Sequence, residues 1–264
     1  MIIIVFLLEI VLILCFHVAC RCVIINLMKV NKIQQKENGF LPHIRKGIRD
    51  IVFGLEDGLV STLGVIIGIA EGSRSSYVVI LSGIVVVFVE ALSMAAGTFL
   101  SAKSNKEVLE EKIRKEKLEI KNKPGEETEE LYEIYREQGL SREDAKPLVE
   151  QVIKNENVWL EEMKLHELGI TDAQLENPKI NALFMGVSYI IAGSVPVLAF
   201  FFLPIDSAVI LSVILTVVAL FFVGAGKTIF TKKSWLKSGA EMTLIALAAA
   251  ALGFVIGKVV AYFY

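Results

Sequence analysis

The chain has 264 residues, of which 54% are hydrophobic and 21% are charged, and its mean hydropathy is +0.60. This composition is too apolar for an ordinary soluble domain and is typical of a membrane protein. The formal net charge of only −2 provides no strongly basic surface, so we expect no nucleic-acid partner.

The N-terminal segment 1–28 is apolar but is interrupted by Glu9. It lacks the basic start of a secretory signal, and His17 stands where a lipoprotein cleavage site needs an aliphatic residue. The segment is therefore either an additional membrane helix or the product of a misassigned start, because the sequence from Met28 would make a sensible cytosolic N-terminus. All three cysteines lie in this segment, at a spacing that fits no zinc site.

Five further segments are apolar and close to the length of about 20 residues that spans a bilayer. They cover about 51–70, 77–100, 181–203, 207–226 and 240–263. The pattern predicts an all-α, polytopic membrane helix bundle in contact with lipid.

Lysine and arginine concentrate in alternate connections between these segments, at 29–49, 101–180 and 227–237. The positive-inside rule predicts that these connections face the cytosol and that the C-terminus lies on the other side of the membrane. The predicted domains are a hydrophobic extension, the first two spans, a cytosolic helical domain and the last three spans. Their boundaries are 1–28, 29–100, 101–178 and 179–264.

The domain 101–178, called the insert below, is rich in charges of both signs and carries four helical patterns. The first continues the second span without a break until Pro124, and the second ends at Gly139. The third opens with Ser141, an N-cap residue followed by an acid three positions later, and the fourth ends at Gly169.

Glutamates in the insert recur at spacings that place them on one helix face, as Glu116 and Glu119 do. The stretch 126–133 holds five acids and no base, and such a face is most easily understood if a cation neutralises it. The thioether of Met163 would favour a softer transition metal such as Fe(II). No histidine follows a glutamate by three residues, which disfavours a ferritin-like oxidase, and we expect no enzyme activity.

The predicted spans also contain acids, although a charge at the centre of a membrane helix costs roughly 2.5–3.5 kcal/mol on insertion scales. Asp57 follows Glu56 near one end of the first span, whereas Glu90 lies near the middle of the second and Met94 follows it by one turn. Glu56 points about 100° away from Asp57 and is either a dimer-interface residue or a bystander that reaches the surface. Carboxylates and a thioether across a membrane indicate a cation transporter.

Several blocks of the sequence resemble the vacuolar iron transporter family of Fe(II)/Mn(II) transporters. They are GLEDGLVST, ALSMAAGTFLSAKS, EIYREQGL, WLEEMKLHELG and SWLKSGAEMTLIALAAAALG, and the resemblance covers about residues 45–260. It implies five membrane helices, a cytosolic metal-binding domain between the second and third, and a homodimer whose path is lined by the first helices. It also implies that metal leaves the cytosol in exchange for protons.

The resemblance assigns roles to particular residues. Asp57 corresponds to the pore carboxylate, Met94 to the pore methionine and Asp50 to an acid at the cytosolic mouth. The implied metal ligands of the insert are Glu116, Glu119, Glu127, Glu130, Met163 and Glu167. Lys164 stands where some members have a second methionine, and Glu90 matches no family position, so its role follows from depth and helix face alone.

The function predicted from these features is transport of Fe(II) or Mn(II), with no organic cofactor. Proton exchange at Asp57 would couple the two fluxes. The alternative is a membrane-anchored iron sensor or storage protein that does not transport, although an anchor has no need of acids inside its spans. The membrane would be the cell membrane in a prokaryote and the vacuolar membrane in a eukaryote.

Overall fold

A computed structural model describes residues 40–175, 177–231 and 234–263, which form eight α-helices, two short 3-10 helices and no strand. The α-helices are α1 Phe40–Ser73, α2 Ser76–Asn122, α3 Pro124–Glu137, α4 Arg142–Val152, α5 Glu156–His166, α6 Pro178–Leu198, α7 Ile205–Thr231 and α8 Trp235–Phe263. The 3-10 helices are Asp172–Leu175 and Ala199–Phe201. The predicted all-α fold is confirmed, whereas the extension 1–28 lies outside the described residues.

Five of the helices are long and apolar enough to cross a membrane, which confirms the number of predicted spans after the extension. They are Gly47–Ser73, Ser76–Asn122, Pro178–Phe201, Ile205–Thr228 and Trp235–Phe263. The protein is therefore a multi-pass membrane protein.

The helices extend further than the apolar runs that predict them. The first apolar run begins near residue 51, but α1 begins at Phe40, because the charged residues between them suit a helix even though they do not suit lipid. In the same way α2 runs for 47 residues, so its predicted continuation beyond the apolar run is confirmed.

The chain divides into two compact units. The first, called the membrane unit, comprises the described residues up to Thr98 and those after Pro178, and the second comprises the described residues of Phe99–Pro178. Within the membrane unit α1 packs against α7 and α8. Its core contains Leu59 of α1, Ala192 of α6, Leu220 of α7 and Met242 of α8.

Glycines allow α1 to approach its neighbours closely, as the spacing of Gly54 and Gly58 predicts. A Cβ at Gly58 would lie 2.8 Å from the carbonyl oxygen of Tyr189 on α6, which leaves no room for a side chain. Further along α1, a Cβ at Gly68 would lie 2.9 Å from the carbonyl oxygen of Gly253 on α8. Thus Gly54 and Gly58 of α1 lie against α6, whereas Gly64 and Gly68 of the same helix lie against α8.

The second unit has its own core, in which the end of α2 packs with α3, α4 and α5. Each helix contributes apolar residues, among them Ile120, Leu131, Val149 and Trp159. Ser141 caps α4, as predicted, because its Oγ accepts a hydrogen bond from the backbone N–H of Asp144 at 3.1 Å. The predicted stops at Gly139 and Gly169 are residues with φ of +95° and +62°, a backbone conformation that favours glycine.

Candidate metal and transport sites

Three glutamates of the insert converge on one point. Glu116 is on α2, Glu127 is on α3 and Glu167 directly follows α5, and one carboxylate oxygen of each lies within 4.8 Å of those of the other two. Within the described ranges this is the one group of three or more acids, histidines or cysteines at such a spacing.

The core of the second unit explains this convergence. Each of the three glutamates is four residues, or about one helical turn, away from a residue of that core. These pairs are Glu116 with Ile120, Glu127 with Leu131, and Glu167 with Met163. Packing of the three core residues therefore brings the three carboxylates to the same side of the core.

Two of these carboxylates are buried, and each has one oxygen atom that lacks a hydrogen-bond partner among the described residues. Glu116 is 2% exposed and Glu127 is 4% exposed. Glu116 Oε1 and Glu127 Oε2 are buried and receive no hydrogen bond from the described part of the chain. Because buried polar atoms are normally paired, two orphaned carboxylate oxygens in one cluster indicate a site for a cation.

The cluster also changes the acid–base behaviour of its members. Burial, together with the negative charges of Glu167 and Glu127, raises the pKa of Glu116 to about 8. Burial and the charge of Glu130 likewise raise the pKa of Glu127 and of Glu167. Near neutral pH Glu116 therefore holds a proton that a divalent cation would displace.

The other predicted ligands of the insert differ from one another in their exposure to solvent. Glu119 and Glu130 are exposed, and their charges act on the cluster from outside the group of three. Met163 is fully buried in the core of the second unit. Lys164 is buried as well, and its Nζ pairs with Glu161 Oε2 at 2.9 Å.

In the membrane unit, the structure joins Glu90 to two hydroxyl groups that the sequence analysis missed. Ser61 Oγ on α1 donates a hydrogen bond to Glu90 Oε2 on α2 at 3.0 Å, and the hydroxyl of Tyr189 on α6 donates to the same oxygen. The two hydroxyl oxygens are themselves 2.5 Å apart. We call Ser61, Glu90 and Tyr189 the Glu90 triad.

The predicted transport residues lie on α1 and α2 beside this triad. Asp57 is half-buried one turn before Ser61, and the charge of Glu90 acts on it. Asp50 lies two turns before Asp57 on the same helix face, and Met94 lies one turn after Glu90. Both side chains are half-buried.

Sequence patterns gave only weak signals for Ser61 and Tyr189. Ser61 follows Asp57 by four residues, the spacing of neighbours on one helix face, and Tyr189 is a hydroxyl-bearing residue inside an apolar span. Serines and tyrosines are common in membrane helices, so neither spacing nor type distinguishes these two from the rest.

These features define a class: a polytopic α-helical membrane protein with carboxylates inside its spans and a carboxylate cluster suited to a divalent cation in its insert. Comparison with known proteins gives the family. The profile of the VIT family matches residues 48–258, and the chain belongs to this family.

Curated relatives agree with this assignment. The chain is 34% identical to the vacuolar iron transporter of Centaurea cyanus over 212 residues, which cover 80% of this chain and 86% of that protein. It is 32% identical to vacuolar iron transporter 1 of Arabidopsis thaliana over 81% of this chain and 86% of that protein. It is also 28% identical to the vacuolar iron transporter of Plasmodium falciparum over 81% and 82% of the two chains.

Proposed function

We propose that the protein transports Fe(II) or Mn(II) out of the cytosol in exchange for protons. The observation that carries this proposal is a pair of carboxylates, Asp57 and Glu90, on two adjacent membrane helices. No lysine or arginine occurs in residues 50–73, 75–102 or 180–226. Because an unpaired charge in a membrane span is costly, the transported ion or a proton is the natural neutralising partner.

Capture of the metal is the role we propose for the insert. The oxygen cluster of Glu116, Glu127 and Glu167 suits a hard or borderline divalent ion. Glu119, Glu130 and Met163 complete the ligand set that the family resemblance implies. In this role the insert raises the concentration of metal available to the membrane path.

The path itself runs, in this proposal, from Asp50 to Asp57 and Met94, with Glu90 alongside. Metal neutralises Asp57 in one direction and protons neutralise it in the other, which couples the two fluxes. The spacing of the acids along α1 supports this order, since Asp50 and Asp57 share a helix face.

We further propose a homodimer whose path is lined by α1 of both subunits, with the insert in the cytosol. The half-buried state of Asp57 in one subunit leaves part of its surface for a partner or an ion. Exposed apolar side chains on α2, such as Leu92, suit lipid. The membrane is the cell membrane in a prokaryote and the vacuolar membrane in a eukaryote.

The proposal is tested by metal transport into proteoliposomes under an imposed proton gradient. The wild-type protein should move Fe(II) or Mn(II), and Asp57→Asn should abolish the movement because a neutral amide cannot alternate between metal and proton. Asp206→Asn is the matched control, since Asp206 is an exposed acid at the start of α7. Wild-type rates in Asp57→Asn would contradict the path, and parallel assays with the two metals would rank them.

A further inference from the structure

The Glu90 triad links three membrane helices through one carboxylate oxygen. Both hydroxyl groups donate to Glu90 Oε2, one from α1 and one from α6, so neither of them occupies Oε1. A carboxylate can accept about four hydrogen bonds through its two oxygens. The triad thus immobilises one end of the carboxylate and leaves the other end to a different partner.

Burial and helix packing make this geometry rigid. Tyr189 is fully buried, and its backbone lies against Gly58, where no Cβ would fit. Ser61 is on α1 between Asp57 and the core residue Leu63, so its position is set by the same helix that carries the proposed path. Two donors on separate helices are therefore held at fixed positions before any ion arrives.

The triad contains no positive group that could neutralise Glu90. Hydroxyl groups orient a carboxylate but leave its charge in place, and no basic residue occurs in the spans 50–73, 75–102 or 180–226. A carboxylate that is oriented but not neutralised by its own chain is prepared to bind a cation.

We propose that Ser61 and Tyr189 are positioning residues of the transport path, which hold Glu90 by Oε2 so that Oε1 can bind the transported divalent cation. The inference rests on the proposed function and adds two residues to it. Neither hydroxyl group needs to touch the ion. Their contribution is to the affinity of Glu90 for the ion, through an orientation that is fixed in advance.

The test measures initial rates of Mn(II) transport in proteoliposomes over a range of Mn(II) concentrations. Tyr189→Phe should raise the apparent KM about tenfold, which is the size expected for losing a hydrogen bond to a charged group. Ser61→Ala should raise it severalfold because it removes the second donor to the same oxygen. The maximal rate should be retained in both variants, since the path stays open.

Matched controls remove hydroxyl groups outside the triad. Tyr77→Phe alters a tyrosine that is 73% exposed at the start of α2, and Ser194→Ala alters a serine whose Oγ donates within α6 to the carbonyl oxygen of Ile190. Both should keep the wild-type KM. Thermal melting in detergent verifies that each variant is folded. If Tyr189→Phe does not fold, the comparison of the KM of Ser61→Ala with that of Ser194→Ala is sufficient to test the inference.

An unchanged KM in Ser61→Ala, or a lower maximal rate at unchanged KM in Tyr189→Phe, would overturn the inference, because either result means that the hydroxyl group does not contribute to the affinity of Glu90 for the ion. These outcomes differ from a failure of the proposed function, in which the wild-type protein itself moves neither Mn(II) nor Fe(II); if it moves Fe(II) alone, the same rates are measured with Fe(II). A further comparison uses Glu90→Gln: when this variant still transports, adding Tyr189→Phe to it should change the KM no further.

Discussion

Glu116 is a buried acid whose pKa of about 8 makes the insert sensitive to pH. Between its ordinary value of 4.5 and about 8, the folded insert holds a proton at Glu116 that the unfolded chain has already released. The free energy of unfolding of the metal-free insert should therefore fall as the pH rises through this window. Hydrogen exchange of the insert in the full-length protein at pH 5.5 and pH 8, in metal-free buffer, measures the change as faster exchange at the higher pH.

Two substitutions distinguish the effect of the Glu116 proton on stability from the titration of acids on the surface. Glu116→Gln keeps the shape of the side chain but carries no titratable proton, so it should flatten the pH dependence. Glu150→Gln, at an exposed acid of α4, should leave the dependence as in the wild type. If Glu116→Gln kept the full loss of protection between the two pH values, the stability of the insert would not depend on the Glu116 proton.

At the scale of single elements, α4 offers a direct measure of capping. Ser141→Ala removes the acceptor for the backbone N–H of Asp144 and should destabilise the insert by about 1 kcal/mol. Ser141→Asp keeps an acceptor at the same position and should be close to the wild type. Thermal unfolding followed by circular dichroism distinguishes the two, and equal losses in both variants would mean that the cap does not stabilise α4.

The packing of α1 on α8 is sensitive to the size of one residue. A Cβ at Gly253 would overlap the carbonyl oxygen of Gly64, so Gly253→Ala must push the helices apart and should cost about 1–3 kcal/mol. Gly226→Ala is the control, because a Cβ at Gly226 of α7 meets nothing within 4 Å. Melting temperatures in detergent should fall for the first variant and not for the second; equal values would contradict the close approach.

Local signals predict these elements well, because a helix stop or cap depends on a few adjacent residues. Gly139, Gly169 and Ser141 each act through their own backbone or side chain, and the structure confirms all three. The predicted spans follow from length and apolar composition alone. Their helices extend further because a charged turn such as the one before Gly47 ends an apolar run without ending a helix.

Sequence patterns do not predict which side chains from distant parts of the chain come together. The glutamate pattern indicates a metal site, but it does not tell which carboxylates converge, since that depends on how α3 and α5 pack against the end of α2. Likewise, no periodic signal connects Ser61 with Tyr189, which are 128 residues apart. The pairing exists only once α1, α2 and α6 are packed together.

At the scale of the whole molecule, we propose that the insert captures the metal ion and that the membrane unit transports it. These two functions predict different kinetics. Capture matters most when metal is scarce, because a binding cluster outside the path changes how often an ion is delivered but not how fast a saturated path operates. The path carboxylate matters at every concentration.

The triple variant Glu116→Gln, Glu127→Gln and Glu167→Gln should therefore raise the apparent KM for Mn(II) by about tenfold or more while the maximal rate stays near that of the wild type. Asp57→Asn should lose the maximal rate itself, and excess Mn(II) should not restore it. A triple variant with Glu143, Glu150 and Glu156 changed to Gln makes the same three substitutions at exposed sites of the insert and removes at least as much negative charge, so it is the control for simple electrostatic attraction. If the control matched the cluster variant, general attraction by the acidic surface would replace site-specific capture as the explanation. A loss of maximal rate in the cluster variant would instead mean that the cluster takes part in the transport step.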